Sequence, residues 1–199
     1  MIVVDGRQTG LSIQNFDNLE QLLVKVMEHD MLENRVVTDV YVNDEVFSEI
    51  YPHQAEDIGA GEISSVEIRT MHVTEMGVNI AQELAKVVML MDKGAASVAD
   101  LFRQADDGEA LEMFQDLLDV TRDFFGMISV MREEFGLKDN AELNDALEEL
   151  SGLFSEMIEV TENEDWILLS DLLQYEYIPS VKRWQGLVAN IQKTIGSGS

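Results

Sequence analysis

Apolar and polar positions along the chain change their spacing once. Up to about His72 the apolar residues come in short β-branched runs: Ile2–Val4, the alternating stretch Val36–Phe47, and Val66 with Ile68. A period of two is what a strand with one buried face requires. A single helical interruption carries Leu19, Leu22, Leu23, Val26 and Met27 on one face. From Thr74 onward the steps become three and four, the spacing of an amphipathic helix. The pattern therefore predicts an α+β protein: a small strand-rich domain over residues 1–72, then an antiparallel bundle of four to five helices over residues 73–195. The closing Gly-Ser-Gly-Ser at 196–199 reads as an appended linker.

Local signals fill in the first domain. Asp5-Gly6 between extended segments predicts a tight hairpin turn, with a return strand over about Gln8–Ile13. Asp17 or Asn18 can cap the helix that follows, with Glu20 in its first turn. Asn43-Asp44 predicts a second tight turn, and a loop with Pro52 and two glycines leads to a last strand in Ser-Ser-Val-Glu-Ile-Arg-Thr.

The resulting order is strand, strand, helix, strand, short strand, strand. With Val4-Asp5-Gly6 in the first hairpin, the Asn-Leu-Glu-Gln-Leu-Leu helix start, Val-Tyr-Val-Asn-Asp-Glu-Val-Phe and Gly-Ala-Gly-Glu-Ile-Ser-Ser-Val-Glu-Ile, it resembles the ubiquitin-like β-grasp over about residues 1–70. In particular it is similar to the sulfur-carrier proteins of thiamine and molybdopterin synthesis. Those carriers end in a free Gly-Gly tail whose carboxylate is loaded. Here Arg69-Thr70-Met71-His72 runs straight into a helix, so the resemblance implies the fold and either a compact contact surface or a structural appendage, not the carrier chemistry.

In the second domain Met76, Ile80, Leu84, Val87 and Met91 form one stripe, which Gly94 is expected to end. Ser97-Val98-Ala99-Asp100 resembles a capping box and predicts a short helix to about Ala105. A third helix spans about Gly108 to Phe135, with Leu111, Phe114, Leu117, Leu118, Phe124, Ile128, Met131 and Phe135 inward and Gly136 as a left-handed cap. Asn140 starts a fourth helix and Asn163 a fifth, the latter carrying Trp166, Leu169, Leu173, Trp184, Leu187 and Ile191. Pro179 lies inside it, where a missing donor and a clash with the Tyr175 carbonyl predict a kink or break. Residues 108–118 align weakly with 163–173, which fits a duplicated helical hairpin or a chance match of common helix residues.

Charge alters the functional picture more than the folding one. There are 39 acidic and 13 basic side chains, a net charge of −26. Residues 1–72 hold 14 acidic and 4 basic of these, so both domains are acidic. Such a field repels nucleic acid and anionic lipid, and favours a basic or polar protein partner. Acidity for solubility alone is the plainer account. No apolar run spans a bilayer and no cysteine is present, so no membrane association and a cytoplasmic location are expected.

Candidate chemistry is sparse. His29, His53 and His72 lie in separate segments without metal-ligand spacing, and Asp106-Asp107-Gly108-Glu109 lacks the spacing of a calcium loop. No phosphate-binding glycine motif or nucleophile elbow occurs, so no cofactor, metal or catalytic residue is expected. The unusual local feature is Leu173-Gln174-Tyr175-Glu176-Tyr177-Ile178-Pro179, with Trp184 beyond it. Tyr175, Tyr177 and Trp184 either form an aromatic partner-binding surface or pack in the bundle with hydroxyls at the surface. Eleven methionines fit an adaptable surface or core filling alike.

Three functional readings follow. One is a non-catalytic protein-interaction module: an adaptor, regulator or export-type chaperone, holding a basic segment or an amphipathic partner helix, with homo-oligomers also open. Bacterial flagellar and secretion chaperones are similar in being small, acidic and helical. The alternative is an enzyme or ligand-binding protein with a carboxylate site in the bundle or at the domain junction. A weaker third is DNA mimicry by the negative surface.

Overall fold

The computed structural model describes residues 1–28, 32–48 and 53–197, and it divides into two compact units, residues 1–76 and 77–199. His29 and Pro52 lie outside the described residues.

In the first unit β1 (Ile2–Val4) and β2 (Arg7–Gln8) are joined by Asp5-Gly6, both with positive φ (47° and 76°). That pair of dihedrals is the type I′ turn that matches strand twist, and Asp and Gly tolerate it. The return strand is shorter than expected. After Thr9 donates to the Ile2 carbonyl, the chain leaves the sheet and makes a 3₁₀ turn at Ile13–Asn15, which buries Ile13. Helix α1 (Leu19–Met27) is capped by Asn18, whose side chain accepts from the Gln21 amide, and it lays Leu19, Leu22 and Val26 on the sheet.

Strands β3 (Arg35–Val42) and β4 (Glu45–Phe47) meet at Asn43-Asp44, again a turn with two positive φ values, and β5 (Val66–His72) closes the set. The order across the sheet is β2-β1-β5-β3-β4, with β1 parallel to β5 and the other neighbours antiparallel. This mixed five-stranded sheet with one covering helix is consistent with a β-grasp. Its inner face buries Ile2, Val4, Val66 and Ile68.

The second unit is helical. Helices α2 (Val73–Arg103), α3 (Asp107–Glu134) and α4 (Ala141–Glu162) are followed by α5 (Trp166–Leu172), a π-helical turn (Leu173–Tyr177) and α6 (Ile178–Ser197). Short loops join them around one apolar core. The chain as a whole is thus α+β.

Several expectations about this unit are corrected. Helix α2 does not stop at Gly94 and restart at Ser97. Burial of Met91, Ala95, Val98, Ala99 and Phe102 holds it together against a glycine cost of about 1 kcal/mol. Its inward stripe is Gly77, Ala81, Leu84, Val88, Met91, and Met76 is exposed. On α3 Leu111 is also exposed, while Ala110 faces inward. Asn163 ends α4, donating to the Glu159 carbonyl, and Asp165 caps α5 by accepting from the Leu168 amide. Gly196 and Ser197, expected in a linker, continue α6.

Two cap expectations match. Gly136 has φ +65°, and the Leu137 amide reaches back to the Arg132 carbonyl at 3.1 Å, the six-to-one bond of a Schellman end. Asn140 accepts from the Leu143 amide at the start of α4.

Pro179 produces no break. The π-helical turn just before it closes wider hydrogen-bonded rings, from residue i to i+5. The helix therefore passes the proline without the clash that regular α winding would impose.

Candidate functional site

The same π-turn decides where the candidate aromatic residues go. Leu169, Leu173, Tyr177 and Val181 are four residues apart and all wholly buried. In a pure α-helix a four-residue step drifts around the axis, but the slower winding of the π-turn keeps these side chains in line. Tyr175, between them, is turned outward and is 67% exposed.

The three aromatic residues accordingly do not share a surface. Trp184 is buried with its ring edge-on to Phe124, centroids 4.9 Å apart. Tyr177 is buried too, and its hydroxyl bonds Thr121 Oγ1 at 2.5 Å. Burial pushes the Tyr177 phenol well above its ordinary pKa, with the Thr121 hydrogen bond opposing that only in part.

Tyr175 stands at the edge of a surface recess of about 480 Å³. Helix α4 supplies Glu148 and Glu149 on one turn and Glu156 two turns on, with Leu153 between them, and the π-turn supplies Glu176. Glu149 pairs with Arg183 at 2.8 Å. Glu148, Glu156 and Glu176 have no cationic partner among the described residues. The Tyr175 ring itself is held in place: Arg103 lies 5.7 Å from its centroid, and the Arg103 guanidinium is fixed by Asp171 at 3.0 Å and Gln174 at 3.3 Å. An exposed aromatic face, a small apolar floor and three unneutralised carboxylates have the chemistry that can accommodate a cationic group on an apolar stem.

Among the described residues the interior of the helical unit offers no comparable chemistry. The buried polar residues of the helical unit, besides Tyr177, are Thr121, Ser170 and Ser180, and none of the described carboxylates is buried there. Trp184 Nε1 and Ser180 Oγ, one turn apart, are buried without a hydrogen-bond partner among the described residues. His53 pairs with Glu56 at 2.9 Å, and the His72 ring accepts from the Thr74 amide. Among the described residues no three His, Asp or Glu side chains come together as a metal site, and no helix is long and apolar enough to cross a membrane.

Fold and recess together define an acidic α+β protein of two compact units. Residues 79–187, more than half of the chain, match the family described as a domain of unknown function (DUF8042), and the chain belongs to that family. Residues 1–71 match a second, also described as a domain of unknown function (DUF8043). No curated protein and no solved structure matches the chain.

The sequence pointed to Tyr175 but not to the glutamates beside it. Glu148, Glu149 and Glu156 are three of many helix-surface acids, and only the π-turn that brings Glu176 and Tyr175 beside them singles them out.

Proposed function

We propose that the protein is a non-catalytic protein-interaction module, an adaptor, regulator or export-type chaperone, whose recess at Tyr175 receives a basic segment of a protein partner. The observation that carries this reading is the 480 Å³ recess itself, with exposed Tyr175 beside Glu148, Glu156 and Glu176. Charge complementarity selects the occupant: an Arg or Lys can lay its stem along Leu153 and the tyrosine ring and place its cation among the carboxylates. The net charge of −26 adds long-range attraction for such a partner and speeds encounter. A cytoplasmic setting suits a chain without cysteine. Against the carboxylate-enzyme reading stands a helical-unit interior in which none of the described carboxylates is buried.

The test is capture from cell lysate on the immobilised full chain, run side by side with Tyr175→Ala and with the double variant Glu156→Lys/Glu176→Lys. A stoichiometric partner bound by the parent, weakened by salt and lost from both variants, supports the reading. Equal capture by all three chains would place the contact elsewhere, and no capture at any salt would remove the interaction-module reading.

A further inference from the structure

The first unit carries a second recess of the opposite sign. Its volume is about 340 Å³, and Val4, Asp5, Arg7 and Arg35 line it. Strand register puts these side chains together. Val4 pairs with Arg7 across the first hairpin and with Ile68 in β5, and residues paired across strands project to the same face. Thr70 lies two residues beyond Ile68, and it pairs with Val37, two residues beyond Arg35. Arg7, Val4, Thr70 and Arg35 therefore all project from the face that buries Ile2, Val66 and Ile68.

Arg35 is held in one orientation. Its Nε donates to Thr70 Oγ1 at 2.7 Å and its Nη2 to the Thr70 carbonyl at 3.1 Å, and Nη2 also meets Asp5 Oδ2 at 3.1 Å. The side chain thus crosses β5 and delivers its guanidinium to the turn after β1, beside β2 and Arg7. Its Nη1 has no partner among the described residues, and neither does the Arg7 guanidinium.

Asp5 lines the recess as well, but its charge is already engaged. Oδ1 accepts from the Thr70 amide at 2.8 Å, and Oδ2 from the Thr70 hydroxyl at 2.7 Å and from Arg35. What the recess presents is one neutralised pair plus one free guanidinium, over the buried floor of Val4. It is an excess of positive charge in a chain with three times as many acids as bases.

We propose that this recess binds the oxyanion group, phosphoryl or carboxylate, of a small anionic ligand. Guanidinium forks match the geometry of such groups with paired N–H donors, and one of the two is fixed before the ligand arrives. The volume is at the small end of ligand pockets, enough for the oxyanion and a short body. The negative field of the rest of the chain is screened beyond about 8 Å at physiological ionic strength, so the local pair governs affinity.

The experiment is NMR titration of the full chain with inorganic phosphate and, separately, with acetate, against chloride at matched ionic strength. Saturable shifts confined to Val4–Arg7, Arg35 and Thr70 are expected. Saturation by phosphate alone identifies a phosphoryl ligand, and saturation by acetate as well identifies carboxylate chemistry. Arg7→Ala, an exposed edge-strand change that leaves the melting temperature in place, should weaken binding about tenfold, and Arg7→Lys by less. Unsaturable shifts with both anions, or unchanged binding in Arg7→Ala, would overturn the proposal.

Discussion

The Tyr177 hydroxyl donates to Thr121 Oγ1, which in turn donates to the Leu117 carbonyl at 2.7 Å. The direction follows from the proton count, because the single threonine hydroxyl proton is already spent on Leu117. This short relay links the π-turn to α3 in an otherwise apolar interior.

Removing one or the other hydroxyl of the relay should cost different amounts. Tyr177→Phe deletes a donor and leaves Thr121 bonded to Leu117, so a loss of about 1 kcal/mol is expected. Thr121→Val strands a buried phenol and should cost more, about 1–3 kcal/mol. The double variant should fall short of the sum, because both changes remove one interaction. Denaturant unfolding of the four proteins measures the cycle.

The same phenol makes stability depend on alkaline pH. Its folded pKa is raised, so the native state holds the proton where the unfolded state releases it. The contribution is complete below about pH 10, the ordinary tyrosine value, and is lost as pH rises above it. Thermal melts across that range should fall more steeply for the parent than for Tyr177→Phe. Parallel curves would show that the phenol is not linked to folding.

Two glycines on α2 should respond in opposite directions to alanine. A methyl at Gly77 would overlap the Phe135 ring and come within 3.0 Å of Ile195 Cγ2. At Gly94 it would meet Leu117 Cδ1 at an ordinary 3.5 Å. Gly94→Ala should therefore stabilise by about 0.5–1 kcal/mol through helix propensity. Gly77→Ala should destabilise, since overpacking of about 1–3 kcal/mol outweighs the same gain. Melting temperatures of the two variants test the contrast.

Acid should loosen the sheet through Asp5. Partial burial works against its charge, but the Thr70 hydroxyl and amide and the Arg35 guanidinium outweigh it and hold the carboxyl below its usual value. Its contribution is present above the ordinary aspartate pKa of about 3.9 and disappears as pH falls through the lower folded value. Asp5→Asn, which tolerates the left-handed turn, should flatten the acid limb of sheet-amide protection measured by hydrogen exchange. An unchanged acid limb would show that Asp5 is not the titrating group.

At the start of α5, Asp165→Ala should cost about 1 kcal/mol, because the Leu168 amide loses its acceptor and the helix end its negative charge. Asp165→Asn, which keeps the acceptor, should recover most of that loss. Denaturant midpoints of the two variants measure it.

Much of the fold was legible in short-range chemistry. Asp5-Gly6, Asn43-Asp44, the Asn18 and Asn140 caps and the Gly136 end are each set by a few neighbouring residues, and each behaves as its residue types require. What was not legible depends on partners distant in sequence. Gly94 and the Ser97 capping signal suggest a helix break, but the buried stripe from Met91 to Phe102 overrides both. Pro179 suggests another, but the turn before it widens instead. For the candidate site the heptapeptide around Tyr175 drew attention by composition, yet which of its tyrosines faces water depends on helix phase. The arginine recess left no local mark at all, since Arg7, Arg35 and Thr70 meet only through strand register.

The π-turn also acts as a vernier on the helical unit. The segments on its two sides are both α-helical with the same number of residues per turn, and the wide turn sets the rotational offset between them. Rewound as ordinary α-helix, it would rotate whatever follows by about 100°, one residue's worth of winding. Tyr175 and Glu176 sit on the adjustable part of that scale, whereas Leu169 and Trp184 are fixed in the core on either side. The outward pair is thus geared to the winding of the helix, and a change of one residue in the length of this segment would re-aim the recess while leaving its ingredients intact.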